Sequence, residues 1–197
     1  NLSDEEKISI KEKMRLTSIP WVENQGQWCE EVVFSAKTFA GDVFITKEKQ
    51  VVYNLPADSI SSWILRETFI NTHHPNTKLE GKGIAPTKTN FLLGNDQSKW
   101  KKNVPTYNSV NIGEIWEGIE VELKAYGKNV EKLFHVNPGA NPEDIIIKIE
   151  GADCLSKAKS GELIIYTPKG ELKFSTPIAW QWINGEKQFV QVEYLII

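Results

Sequence analysis

"IEVELKAY", Ile119 to Tyr126, alternates apolar and polar residues along its length. Successive side chains of a strand point to opposite faces, so Ile119, Val121, Leu123 and Ala125 share one face, and Glu120 and Glu122 share the other. A dry face backed by a wet one marks a half-buried antiparallel strand. The same alternation recurs in "VFITK" (43–47) and "IIIKIEG" (145–151).

Outward from this stretch, short runs rich in β-branched and aromatic residues predict strands near 31–38, 42–47, 50–55, 62–71, 89–93, 107–112, 119–126, 131–136, 144–150, 162–167, 171–174, 178–184 and 188–196. The turns "FAGD", "NPGANPED", "KSGE", "PKGE" and "INGE" each supply a residue tolerant of positive φ or a preset proline. Asn184-Gly185 between two apolar runs is the strongest hairpin signal. Residues 56–61 and 73–88 read as loose connections, and no internal repeat is visible. Strands without interleaved helices predict an all-β fold. The expected architecture is an antiparallel β-sandwich of two packed sheets, with about a dozen short strands. One helix is expected, over 3–16, where Ser3 and Glu6 form a capping box and Ile10 and Met14 share a stripe. The expected organisation is a helical appendage over 1–18 and a β-sandwich domain over 19–197.

The formal net charge is −3 with acids and bases interspersed, which leaves no basic stripe for nucleic acid. No apolar run approaches the roughly 20 residues of a membrane span. The chain begins at Asn1 without a signal-peptide pattern and closes on "QVEYLII", so it is read as a piece of a longer protein. The apolar end of the strand expected over 188–197 then needs a cover, either the helix at 3–16 or a second copy of the chain.

Few residues carry chemistry. His73 and His74 are adjacent, His135 lies in a strand, and no carboxylate stands at ligand spacing beside them, so no metal site is expected. No Gly-x-Ser-x-Gly elbow provides a serine nucleophile, and "EGKGIAP" lacks both phosphate-loop spacings, so no cofactor is expected. Glu23, Asp96, Glu120 and Glu122 are the carboxylates that a glycosidase would draw on. Acids on the wet face of a strand are ordinary, and the chain is read as a non-enzyme. Cys29 and Cys154 have no CxxC partner. They read as two free thiols or, in a secreted protein, as one disulfide.

Seven tryptophans are many for this length. Most read as packing residues; Trp180 and Trp182 share one strand face, which makes one side of that hairpin heavily aromatic, and Trp100 between lysines reads as the partly exposed one. "NFLLGNDQSKWKKNVPTY" (90–107) reads as an internally stapled loop joining two sheets: Gly94 supplies positive φ, Asn95 and Asp96 bond backbone amides, and Trp100 packs over the turn. If the loop binds a ligand, Trp100, Asp96, Lys99 and Lys101 are the candidate residues, and a polysaccharide is the candidate ligand.

Five stretches occur in order: "VENQGQW" (22–28), "NFLLGNDQSKWKKNVPTYNSV" (90–110), "IWEGIEVELKAYG" (115–127), "FHVNPGANPEDIIIKIEGAD" (134–153) and "GELIIYTPKGELKFSTPIAWQ" (161–181). Together the chain from about Ile19 onward resembles the N-terminal domain of secreted bacterial proteins that carry SBBP-type β-propeller repeats. That domain also occurs beside Ig-like or PKD-like modules. Glu117-Gly118-Ile119-Glu120 replaces the family's usual "PGID" turn, and Leu133-Phe134 replaces a Tyr-Asp pair. The resemblance implies an extracellular or cell-surface location, with the neighbouring repeats of the same chain as partners. It implies no enzymatic activity.

Overall fold

The computed structural model describes residues 17–56, 61–73 and 77–197. The helix expected over 3–16 and His74 lie outside the described residues. Among the described residues sixteen strands form in chain order: β1 (Ser18–Ile19), β2 (Trp21–Glu23), β3 (Val32–Thr38), β4 (Gly41–Thr46), β5 (Val51–Pro56), β6 (Ser62–Phe69), β7 (Glu80–Phe91), β8 (Lys101–Trp116), β9 (Ile119–Tyr126), β10 (Asn129–Val136), β11 (Ile147–Glu150), β12 (Cys154–Lys157), β13 (Leu163–Thr167), β14 (Gly170–Phe174), β15 (Ala179–Ile183) and β16 (Glu186–Val190). Every strand pairing whose register is resolved is antiparallel. The chain forms two compact units, one up to Ile149 and one from Glu150 to Ile197.

The first unit is built on one eleven-stranded sheet in the order β1-β9-β8-β2-β3-β4-β5-β6-β11, with β10 added beside β9 and β7 beside β8. The all-β antiparallel expectation holds, and the sandwich-like layers of this unit belong to one continuous sheet. Its pivot is β8, which pairs with β9 from Trp116↔Ile119 to Val110↔Leu123. Farther toward its start β8 pairs with β2, at Tyr107↔Trp21 and Thr106↔Val22. There β9 has diverged from β8 and pairs with β1 through Ala125↔Ile19 and Tyr126↔Ser18. Residues 18–23 thus fill the wedge between two splaying strands, and Trp21 is fully buried within it.

The sheet then wraps back on itself. Trp116 of β8 meets Phe69 of β6 edge-on at 5.6 Å and Phe134 of β10 at 6.4 Å, although β6 is no neighbour of either strand in the sheet. The indole N–H of Trp116 donates to the Ile70 carbonyl at 2.9 Å. Between the facing layers lie Val43 and Ile45 of β4, Val51 and Tyr53 of β5, Leu65 of β6, and Ile119, Val121, Leu123 and Ala125 of β9, all buried.

A buried carboxylate interrupts this core. Glu67 of β6 is fully buried. Its Oε1 accepts from Tyr53 Oη at 3.1 Å and from Lys132 Nζ of β10 at 2.9 Å, while its Oε2 has no hydrogen-bond partner. Burial, then the charge of Glu67 and its hydrogen bond, push the Tyr53 phenol well above its ordinary value.

Two strands are longer than expected. Glu80–Phe91 and Lys101–Trp116 absorb most of the connection expected over 73–88, together with the short strands expected at 89–93 and 107–112. Residues of types that ordinarily break strands serve here as irregularities inside them. Gly81 leaves the space where the Tyr107 ring lies. Gly113 takes φ +94°, and Asn103 takes φ +57°. Pro86 is tolerated because β7 is an edge strand, pairing only with β8.

In the second unit β12, β13 and β14 form a three-stranded sheet that buries Leu163, Ile164 and Ile165, and β15 and β16 form a separate hairpin. The strand expected over 188–196 stops at Val190, because its partner β15 begins at the paired Ala179. Leu195, Ile196 and Ile197, expected to be covered, are exposed.

Removing one member of the buried pair leaves an uncompensated charge. Lys132→Met is expected to cost about 3–5 kcal/mol in urea unfolding. Glu67→Gln combined with Lys132→Met removes both charges, keeps an acceptor for Tyr53, and should recover most of that loss. A single-variant loss below about 0.5 kcal/mol would refute the assignment. Because the folded state holds the Tyr53 proton more tightly, the stability that neutral Tyr53 contributes is present below about pH 10 and is lost as pH climbs above it. Tyr53→Phe should blunt that alkaline fall.

Candidate functional site

The loops at one end of the large sheet gather two of the distinctive sequence motifs. Asn24 organises the first. Its Nδ2 donates to the carbonyls of Cys29 (2.9 Å) and Val32 (2.7 Å), and its Oδ1 accepts from the amides of Gly26 (2.9 Å) and Trp28 (3.3 Å). The Trp28 ring packs edge-on against Phe91 at 5.2 Å and Phe44 at 6.3 Å, which ties this loop to the start of the second motif.

That second loop joins β7 to β8, neighbours in one sheet, and so does not connect two sheets as expected. Gly94 turns with φ +73°. Asp96 caps the short 3-10 turn Gln97–Lys99, accepting from Ser98 Oγ at 2.6 Å and Ser98 N at 3.1 Å. The Ser98 hydroxyl first, and its amide second, hold the Asp96 carboxyl below the usual range. Lys99 approaches Asp96 at 3.8 Å. Trp100 is half-buried, its N–H donates to the Gly94 carbonyl at 3.1 Å, and Lys102 Nζ lies 5.4 Å from its ring centre. Lys101 lies against Gly26. The structure thus brings Trp100, Asp96, Lys99 and Lys101 into one loop region. Asp96, Lys99 and the Trp100 N–H take their partners from within the loop itself.

Cys29 and Cys154 are both free, exposed thiols, so no disulfide joins them in this structure. Glu120 and Glu122 lie on the outer face of β9, opposite the buried alternation. Glu122 receives His135 Nε2 at 3.3 Å and Lys124 at 3.8 Å. Burial works to raise the Glu122 carboxyl, but hydrogen bonds from Ser109 and His135 and the Lys124 charge prevail and lower it. Glu23 accepts from the Tyr107 hydroxyl at 3.4 Å. No group of three or more His, Cys, Asp or Glu side chains that could hold a metal ion occurs among the described residues.

The surface that sequence reasoning left unassigned is the β15–β16 hairpin. Asn184 and Gly185 form its turn with φ +52° and +83°, as their sequence requires. That turn fixes Trp180 opposite Phe189 and Trp182 opposite Lys187, all four on one face. Trp180 is 45 %, Trp182 69 % and Phe189 73 % exposed. Lys187 Nζ lies 4.1 Å from the Trp180 ring centre and 5.3 Å from that of Phe189. Trp100 is half-buried, in line with a partly exposed ring, and Trp180 and Trp182, on the hairpin side read as heavily aromatic, are more exposed still. The signal was present in the sequence. A two-residue Asn-Gly turn sets the register, and the register puts a lysine across from Trp182, which a core face does not carry.

Fold and surface define an all-β antiparallel architecture among the described residues, with an exposed aromatic ribbon. Residues 21–197 match the model of a family described as a domain of unknown function (DUF7948), and the chain belongs to that family. No curated protein and no solved structure matches the chain.

Acrylamide quenching of tryptophan fluorescence checks the assignment of the exposed face. Replacing Trp182 with Phe should remove the largest share of the quenchable signal, Trp180→Phe a smaller share, and Trp116→Phe almost none. A dominant loss in Trp100→Phe would reverse the order.

Proposed function

We propose that this chain is a non-catalytic, extracellular interaction module of a multidomain bacterial surface protein, and that the β15–β16 hairpin is its binding face. The observation that carries this reading is the exposure of Trp180, Trp182 and Phe189 together on one ribbon. Monomeric soluble proteins seldom leave contiguous aromatic surface in water unless it binds something. The resemblance to domains that precede SBBP-type propeller or Ig-like repeats supports the surface location and those repeats as neighbours in the chain.

A second reading, a carbohydrate-binding module, draws support from the same face. Two indoles two residues apart on one strand present flat apolar surfaces on which the C–H faces of successive sugar rings stack, with the Lys187 ammonium beside them to donate hydrogen bonds. It takes Trp180 and Trp182 as the platform in place of Trp100, whose ring is half-buried and whose N–H is engaged within its loop.

The double variant Trp180→Ser/Trp182→Ser tests both readings. A binding face contributes little to folding, so unfolding free energy should stay within about 0.5 kcal/mol of the parent. A loss of about 3 kcal/mol or more, as for a core tryptophan, would contradict the interaction reading. Affinity electrophoresis of parent and variant through polysaccharide gels decides the second reading. Retardation of the parent alone supports it, and no retardation in any gel removes it.

A further inference from the structure

The open edge of β15 carries an inference that rests on the hairpin being a binding face and names what binds there. The two strands form a sheet of their own, so one edge of each is without a strand partner among the described residues. A lone two-stranded ribbon is marginally stable in water, and three or more strands with an apolar face are the usual minimum. The two open edges differ. β16 reads Glu-Lys-Gln-Phe-Val and carries two charges, the feature that keeps an edge from pairing. β15 reads Ala-Trp-Gln-Trp-Ile, with no charge, no proline and no glycine.

That sequence is symmetric about Gln181: Trp on either side, then Ala179 and Ile183. A twofold contact requires self-complementarity of this kind, because residue i meets j and j meets i. Two antiparallel copies that keep their aromatic faces on one side can pair only in registers that match residues of the same face. The register centred on Gln181 is the one that pairs all five residues. It sets Trp180 against the other copy's Trp182, Ala179 against Ile183, and the two Gln181 amides against each other. Aromatic pairs directly across a ladder are among the more favourable cross-strand contacts.

The geometry points to a second copy of this chain as the occupant of the β15 edge, joined by strand addition into a four-stranded sheet of order β16-β15-β15-β16. The aromatic face then runs unbroken across both copies. Glu186 and Lys187 close the two outer edges, so the assembly stops at a dimer.

Sedimentation equilibrium of the 197-residue chain tests this with a charge exchange at the twofold. The parent should dimerise reversibly. Gln181→Lys and Gln181→Glu each place like charges directly opposite one another and should weaken the dimer on the order of fivefold. An equimolar mixture of the two pairs Lys with Glu and should associate at least as tightly as the parent, which also shows that both variants fold. A parent that stays monomeric up to about 1 mM overturns the proposal. So does a dimer indifferent to both substitutions, or a polysaccharide or foreign protein held by the aromatic face of a monomer. If Trp180→Ser/Trp182→Ser retains stability while the Gln181 series changes nothing, the interaction face stands and the edge pairing falls.

Discussion

β8 cannot keep one partner along its length, and the rest of the first unit follows from that. Paired with β9 from Trp116 back to Val110, it parts from β9 at Val110 and Leu123, and backbone groups on both strands then need new partners. An unpaired buried amide or carbonyl is costly, so the gap must be filled by extended chain. Residues 18–23 fill it, with Ser18–Ile19 on β9 and Trp21–Glu23 on β8. Pro20 falls between the two short strands, where the chain changes partner. Because β2 also pairs with β3, the wedge passes the sheet on to the β3–β6 meander and lets it curl over β8 and β10. The Glu67–Lys132 pair and the Trp116 cluster are consequences of that return.

The two units use apolar residues differently. In the first, the alternation of β9 is wholly absorbed, and Ile119, Val121, Leu123 and Ala125 are fully shielded. In the second, β13 buries Leu163, Ile164 and Ile165, whereas β15 and β16 leave Trp180, Trp182 and Phe189 in water. A ribbon of such composition gains little from its own fold. Its aromatic area remains available to whatever docks on it, and that surplus is the physical basis for reading the hairpin as an interface.

Much of this was legible from periodicity. The strand Ile119–Tyr126 and the Asn184-Gly185 hairpin were visible because each obeys a local rule, one of alternation and one of turn chemistry. The Gly94–Trp100 loop was legible as a self-contained staple for the same reason. The lengths of β7 and β8 were hidden, since Gly81, Gly83, Pro86 and Asn103 are written with the same residues as turns. Only the Tyr107 ring over Gly81, a contact made across the sheet, shows that the strand continues. The wet face of the hairpin was missed because a tryptophan's exposure is decided by its neighbour across the ladder. Here that neighbour is Lys187 for Trp182.

On the proposal made above, β8 holds the fold of the first unit and the β15–β16 ribbon is ordered by association. Native-state hydrogen exchange followed at several chain concentrations tests it most directly, because global stability and local opening separate amide by amide. The amides of Thr106, Val110 and Ile112 should be the slowest and independent of concentration. Those of Trp180, Gln181 and Trp182 should exchange fast in dilute solution and gain protection as concentration rises. Protection of the β15 amides that is already complete at the lowest concentration, or β8 amides that open as readily as the hairpin, would contradict the account.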